Sequence, residues 1–222
     1  MRSMRTCLVA IAFCLSVVPV ALAQFGGPRG GPPSIHGVFQ PVVGHGAAYE
    51  IQHENGDKSS MELAVVGKDS VGGADGYWLE MTFDGQAGQM IMKSLTVMQT
   101  GSVVVSRMIM QMPGRPPMEF PEQFLKRSNP PRAADIKNDS EDLGSETVTV
   151  PAGTFKCEHY RSKDGSGDIW ITSEVSPWGL VKSQQKDKTT IVLTKTITDA
   201  KDKITGNPIP FNPMAFGGPP SQ

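Results

Sequence analysis

Cysteine is nearly missing from this chain. Of three cysteines, Cys7 and Cys14 lie in the N-terminal apolar run, and only Cys157 lies beyond it. A lone thiol can form no internal disulfide, so the fold must be held by its hydrophobic core. A dominant charge is missing too. The chain carries 21 basic and 22 acidic residues, and without Arg2 and Arg5 the balance is 19 to 22, about −3. Scattered charges this close to neutrality leave no electrostatic footprint for nucleic acid or an anionic membrane. Beyond the first residues no apolar run is long enough to span a bilayer, so stable membrane insertion is not expected.

Catalytic signatures are equally scarce. There is no Gly-x-Ser-x-Gly elbow, phosphate-binding loop, dinucleotide fingerprint or His-Glu-x-x-His arrangement. His36, His45 and His53 are too widely spaced to share one helical face. Cys157 and His159 fall on the same side of one strand as Phe155, where both read as interior residues rather than a catalytic pair. "DGSGD", Asp164 to Asp168, starts like a calcium loop but lacks the following acidic clamp, so it reads as a turn. The expectation is a protein that is not an enzyme, with no metal and no cofactor.

What is present begins with a secretory signal. Arg2 and Arg5 precede the apolar run "CLVAIAFCLSVVPVALA", which closes on Ala21-Leu22-Ala23. Residues 1–23 therefore read as a signal peptide cleaved before Gln24, and the protein as periplasmic or secreted. Phe13 before Cys14 argues against a lipoprotein signal. Gly/Pro-rich segments follow at 24–34 and again at 199–222, and both read as disordered tails.

Between them, over 35–198, come short runs rich in β-branched and aromatic residues. Turn sequences such as "NGD", "GGADG" and "TGS" separate them. That pattern predicts antiparallel hairpins. A proline-rich insertion at 113–132 interrupts it, and one short helix is predicted inside, near Glu119 to Arg127, as a packing plug or lid.

Methionines stand out within this pattern. Met108, Met110 and Met112 share one face of their strand, and Met90 and Met92 share a face of the preceding one. The hairpin between the two strands brings these sets side by side, with Phe120 and Phe124 of the insertion as further candidate lining. Three readings are open: plain core, a deformable pocket for an apolar ligand, or thioether binding of Cu(I). Surrounding valines and isoleucines favour an apolar role over copper.

One stretch carries a family resemblance. "ETVTVPAGTFKCEHYR" followed by "DIWITSEVSPWGLVKSQQ" resembles the C-terminal half of an uncharacterised family of bacterial secreted proteins. Their fold is similar to that of the Lol-type lipoprotein carriers of the cell envelope. The match runs from Thr147 to Gln184, while "YWLEMTFDGQAGQMIMK" fits more loosely. The resemblance implies a mainly β fold, a single curved antiparallel sheet forming a half-open β-barrel with one short helix or lid against its concave side. It also implies an apolar hollow of the kind the carriers use to shield acyl chains. The functional expectation is a non-enzymatic envelope protein binding an apolar small molecule or a lipidated protein at Met90, Met92, Met108, Met110, Met112, Phe120 and Phe124. The alternatives are a structural or partner-binding protein with a filled core, and a Cu(I) binder.

Overall fold

The computed structural model describes residues 37–85, 88–128 and 132–212. The signal peptide expected over 1–23, the segment 24–34 and the chain from 213 onward lie outside the described residues. The first β-branched and aromatic runs form an antiparallel meander: β1 (Gly46–Gln52), β2 (Lys58–Val71), β3 (Ala74–Gly85), β4 (Gly88–Gln99) and β5 (Ser102–Gln111). The β4–β5 turn places Thr100 and Gly101 at φ 51° and 77°. Two such residues in succession make the tight hairpin turn whose twist suits the flanking strands.

The insertion supplies β6 (Met118–Glu119), α1 (Glu122–Ser128) and β7 (Arg132–Ala133). The helix starts later than the sequence predicts. Phe120 precedes Pro121, a position biased to extended backbone, and Met118 and Glu119 accordingly pair with Met110 and Ile109 of β5. A second meander follows: β8 (Ser140–Val150), β9 (Gly153–Ser162), β10 (Gly167–Ile171), β11 (Leu180–Gln185) and β12 (Thr190–Ile197). β12 then returns to pair with β1 and joins the two meanders into one open, curved sheet.

The join determines the curl. The corner after β8 folds back until Ala152 N donates to Leu193 O at 3.4 Å, although β8 and β12 are separated by three strands in the sheet. The enclosed side is filled. Tyr49, Ile51, Met61, Leu63, Val65, Ile191 and Leu193 are each 2% exposed or less. Tyr49 satisfies its hydroxyl by donating to Leu180 O at 3.1 Å, and burial raises its pKa. Residues 37–40 close one end by bonding to both halves of the sheet: Phe39 N donates to Ala134 O, and Val38 N to Trp178 O. Phe39 then packs its ring against Trp178 (4.8 Å) and Tyr77 (6.3 Å).

Residues 199–212, read from the sequence as the start of a tail, run as a strap across the outer face. Ala200 N donates to Gly44 O, Thr205 N to Gln111 Oε1, and Phe211 N to Glu119 O. β13 (Ile209–Pro210) adds to β6 as a parallel edge. Proline and glycine in "ITGNPIPF" preclude a helix, but they leave enough backbone donors to bond along an existing edge.

Candidate functional site

Register places the methionines more exactly than strand parity alone. Leu63 faces Met81, Met81 faces Met92, Met92 faces Met110, and Met110 faces Met118, so one row crosses β2 to β6. A neighbouring row runs from Met61 through Phe83 to Met90. Directly opposed residues project to the same face, and Met61 and Leu63 belong to the buried core. These rows are therefore a continuation of the concave face.

Burial changes along them. Met61 and Leu63 are fully enclosed, whereas Met81, Phe83, Met90, Met92, Met108 and Met110 are only partly buried. Beyond the curl of β8 to β12, the concave side thus becomes an incompletely buried apolar floor on β3, β4 and β5. Phe120 borders it, its amide donating to Met108 O at 2.9 Å. Phe120 stacks on Phe211 at 4.4 Å and lies 5.0 Å from Phe124, forming an aromatic margin beside the floor. Met112 is 8% exposed and Phe120 7%, so these two support the margin more than they present surface.

The structure therefore brings together Met90, Met92, Met108 and Met110 with the edge formed by Phe120 and Phe124. Met81, Phe83 and Met118 belong to the same face and were not singled out from sequence. Their signal was present: Met81 and Phe83 alternate with Glu80 and Thr82 in "EMTF". Only the "DGQAG" hairpin register sets them opposite Met92 and Met90.

Two concavities lie elsewhere. One, of about 170 Å³, is lined by Val38, Gln40, Lys137, Glu158, Ile171 and Gly179 among others. The other, of about 420 Å³, opens between His45, the Ala152–Phe155 corner, Glu174 and Thr196 to Thr198. Ser176 in its wall is already committed, accepting from Val42 N at 3.0 Å and donating to Gln40 O at 3.2 Å.

The polar cluster on β9 and β10 is structural in form. His159 stacks on Trp170 with ring centres 4.3 Å apart, and Lys182 lies over the indole at 4.6 Å. Trp170 donates its indole N–H to Glu146. His159 Nδ1 is 3.0 Å from Glu146, while its Nε2 faces Asp168 at 3.8 Å. The two carboxylates flank opposite ring nitrogens and so cannot share one metal with the imidazole. Among the described residues no group of three His, Cys, Asp or Glu side chains is placed to hold a metal. Cys157 is 1% exposed, and burial pushes its thiol up to about 11, with Glu146 and Glu174 adding to the rise. Such a thiol is a poor nucleophile near neutrality.

The outer face of the same strands is mixed, with buried Ile91, Leu95 and Ile109 among charged side chains. Trp78 carries Lys93 at 4.8 Å and Arg107 at 5.2 Å, and Arg107 pairs with Glu119 through two bonds of 2.7 and 3.2 Å. No helix among the described residues is long and apolar enough to cross a membrane.

No family model matches this chain, and no curated protein matches it in sequence. Among the solved structures similar to it are two from bacteria. One is described as an exported protein with a YmcC-like fold, from Bacteroides fragilis. It is 16% identical, and the match covers 73% of this chain and 99% of that one at a TM-score of 0.39. The other, described as a lipoprotein from Parabacteroides distasonis, is also 16% identical, with coverages of 73% and 100% and a TM-score of 0.39. Neither is described as a lipoprotein carrier.

Proposed function

We propose that this protein is a non-enzymatic periplasmic or secreted protein that holds an acyl chain, from a lipid or a lipidated partner, on its methionine floor. The observation that supports this reading is the incompletely buried apolar surface of Met81, Phe83, Met90, Met92, Met108 and Met110, continuous with the buried core. A contiguous apolar surface on a soluble domain marks a place where something apolar sits. Methionine is unbranched and polarisable, so it adapts to a flexible chain without a preformed slot. Each methylene removed from water contributes about 0.8 kcal/mol, so covering even part of an acyl chain gives useful affinity. The N-terminal signal supports the compartment.

The test is titration with a fluorescent fatty acid. Wild type binds, and Met92→Asp with Met110→Asp, which puts charge in the middle of the row, weakens binding by at least about tenfold (~1.4 kcal/mol). Met92→Leu with Met110→Leu keeps the apolar surface and most of the affinity. Equal binding by wild type and the Asp pair removes the floor from consideration. N-terminal sequencing of the exported protein should begin at Gln24.

A second reading is favoured by the packed core under β1, β2 and β12: a structural or partner-binding envelope protein that carries no ligand. Absence of any fatty-acid binding by wild type supports it. A Cu(I) titration of wild type and the Leu pair under reducing conditions separates thioether chemistry from both.

A further inference from the structure

Glu80 is 3% exposed, a carboxyl group buried on the outer face of β3. Its partner by register is Lys93 of β4, yet Lys93 gives its ammonium to Asp202 of the strap. What Glu80 receives instead is the backbone N–H of Lys203, at 3.3 and 3.0 Å from its two oxygens, and a side-chain hydrogen bond with Asp202. The remaining charged groups facing this spot are Glu62 of β2, which is engaged by Lys203, and Arg107 of β5, which is engaged by Glu119 of β6. Lys201 also lies in the strap. None of these cations is ion-paired with Glu80, although the charge of Lys203, bound to Glu62, pulls its pKa down. A buried carboxylate beside a second carboxylate, with its natural counter-ion drawn away, can keep the contact only by retaining its proton.

We infer that Glu80 and Asp202 form a carboxyl–carboxylate clasp that fastens the strap 199–212 to the outer face in acid and loosens it as Glu80 ionises. Protonated Glu80 donates to the Asp202 carboxylate, which Lys93 neutralises from the other side. Ionised Glu80 repels Asp202 while holding the same backbone N–H. The strap's other side-chain bonds are few. Beyond this clasp and the Lys203–Glu62 pair, Gln111 exchanges two bonds of 3.0 Å with Thr205, backbone contacts are made at Gly44, Pro117 and Glu119, and the Phe211 ring stacks on Phe120 at the far end. Between Glu80 on β3 and Gln111 on β5 the strap crosses β4, above Lys93. Loosening it would bare that part of the outer face and take β13 away from β6.

The pH window follows from the chemistry of the pair. Burial first, then the neighbouring Asp202, raise Glu80 from 4.5 to about 7, against the lowering pull of the Lys203 amide. A raised acid favours the fastened state fully below pH 4.5, and that advantage is lost as pH climbs to about 7. Asp202 is lowered, chiefly by its bond to Lys93 opposing its own burial, so its titration falls below this window.

The experiment is amide hydrogen exchange followed by NMR on the full mature chain from pH 5 to 8.5, corrected for intrinsic rates. The amides of Lys203, Thr205, Ile209 and Phe211 should lose protection by at least about tenfold across the window, while that of Leu193 does not change. Glu80→Gln, whose amide donates to Asp202 at every pH, should flatten the profile. A wild-type profile already flat, or one identical in Glu80→Gln, overturns the clasp. Direct 13C titration of the Glu80 carboxyl group in wild type gives a check that needs no variant. A midpoint near 7 supports the proposal, and one near 4.5 overturns it.

Discussion

Trp170→Ala tests how the resembling segment is built. The indole is 8% exposed and holds together three neighbours from three strands: His159 of β9 stacked at 4.3 Å, Lys182 of β11 at 4.6 Å, and the Glu146 carboxylate of β8 as acceptor of its N–H. Truncation removes most of a large buried side chain and leaves a cavity, a change that costs about 3–5 kcal/mol. The hydrogen bond adds little, because the Glu146 side chain is 49% exposed and regains water. The cation over the ring is worth about 0.5–1 kcal/mol. For a domain of this size each kcal/mol moves Tm by roughly 2–4 °C, so the loss should be about 6–20 °C. Trp170→Phe keeps ring area and should recover more than half of it. Thermal melts by circular dichroism at fixed pH decide the matter. A loss below about 1 kcal/mol would refute the packing role of Trp170.

Other outcomes follow from single positions. Cys157 should resist alkylation in the folded protein and react within minutes in denaturant, as mass spectrometry will show. Fast native labelling would mean that β9 opens readily. Gly179 sits at φ 73° and an added Cβ would lie 2.7 Å from Thr172 O, so Gly179→Ala should lower stability by about 1–3 kcal/mol in urea titrations. An unchanged midpoint would refute the close approach of these two segments. Phe39→Ala removes the ring closing one end of the sheet and should cost about 3–5 kcal/mol without affecting fatty-acid binding at the methionine floor. Loss of binding there would tie the closed end to the floor.

Much of the fold is legible because strands announce themselves locally. The β-branched runs became β1 to β5 and β8 to β12, and the turn residues between them became turns. Where reading failed, the cause was non-local. The polar run "SEDLGS" has no strand signal of its own, yet it forms the outer half of β8, because an edge strand needs one partner and exposes its side chains. Likewise "ITGNPIPF" has the composition of a tail, and it is ordered by bonds to Gln111, Pro117 and Glu119 that lie far from it in sequence.

The candidate site divides the same way. Period-two alternation by itself determined that Met90 and Met92, and Met108, Met110 and Met112, each share a face, since successive side chains on a strand must alternate. It could not say which face, nor how much of it stays open. Register across three strand pairings lined Met81, Met92, Met110 and Met118 into one row, and the β12–β1 join made that row part of the concave side. The curl that buries Met61 and Leu63 fully leaves the methionines of the next strands only partly buried, so the same residue type is enclosed in one place and partly open in another. Glu80 shows the limit most sharply. Locally it is an ordinary polar residue of an alternating strand, and only the returning strap, more than a hundred residues later, turns it into a buried carboxyl group whose pKa is raised.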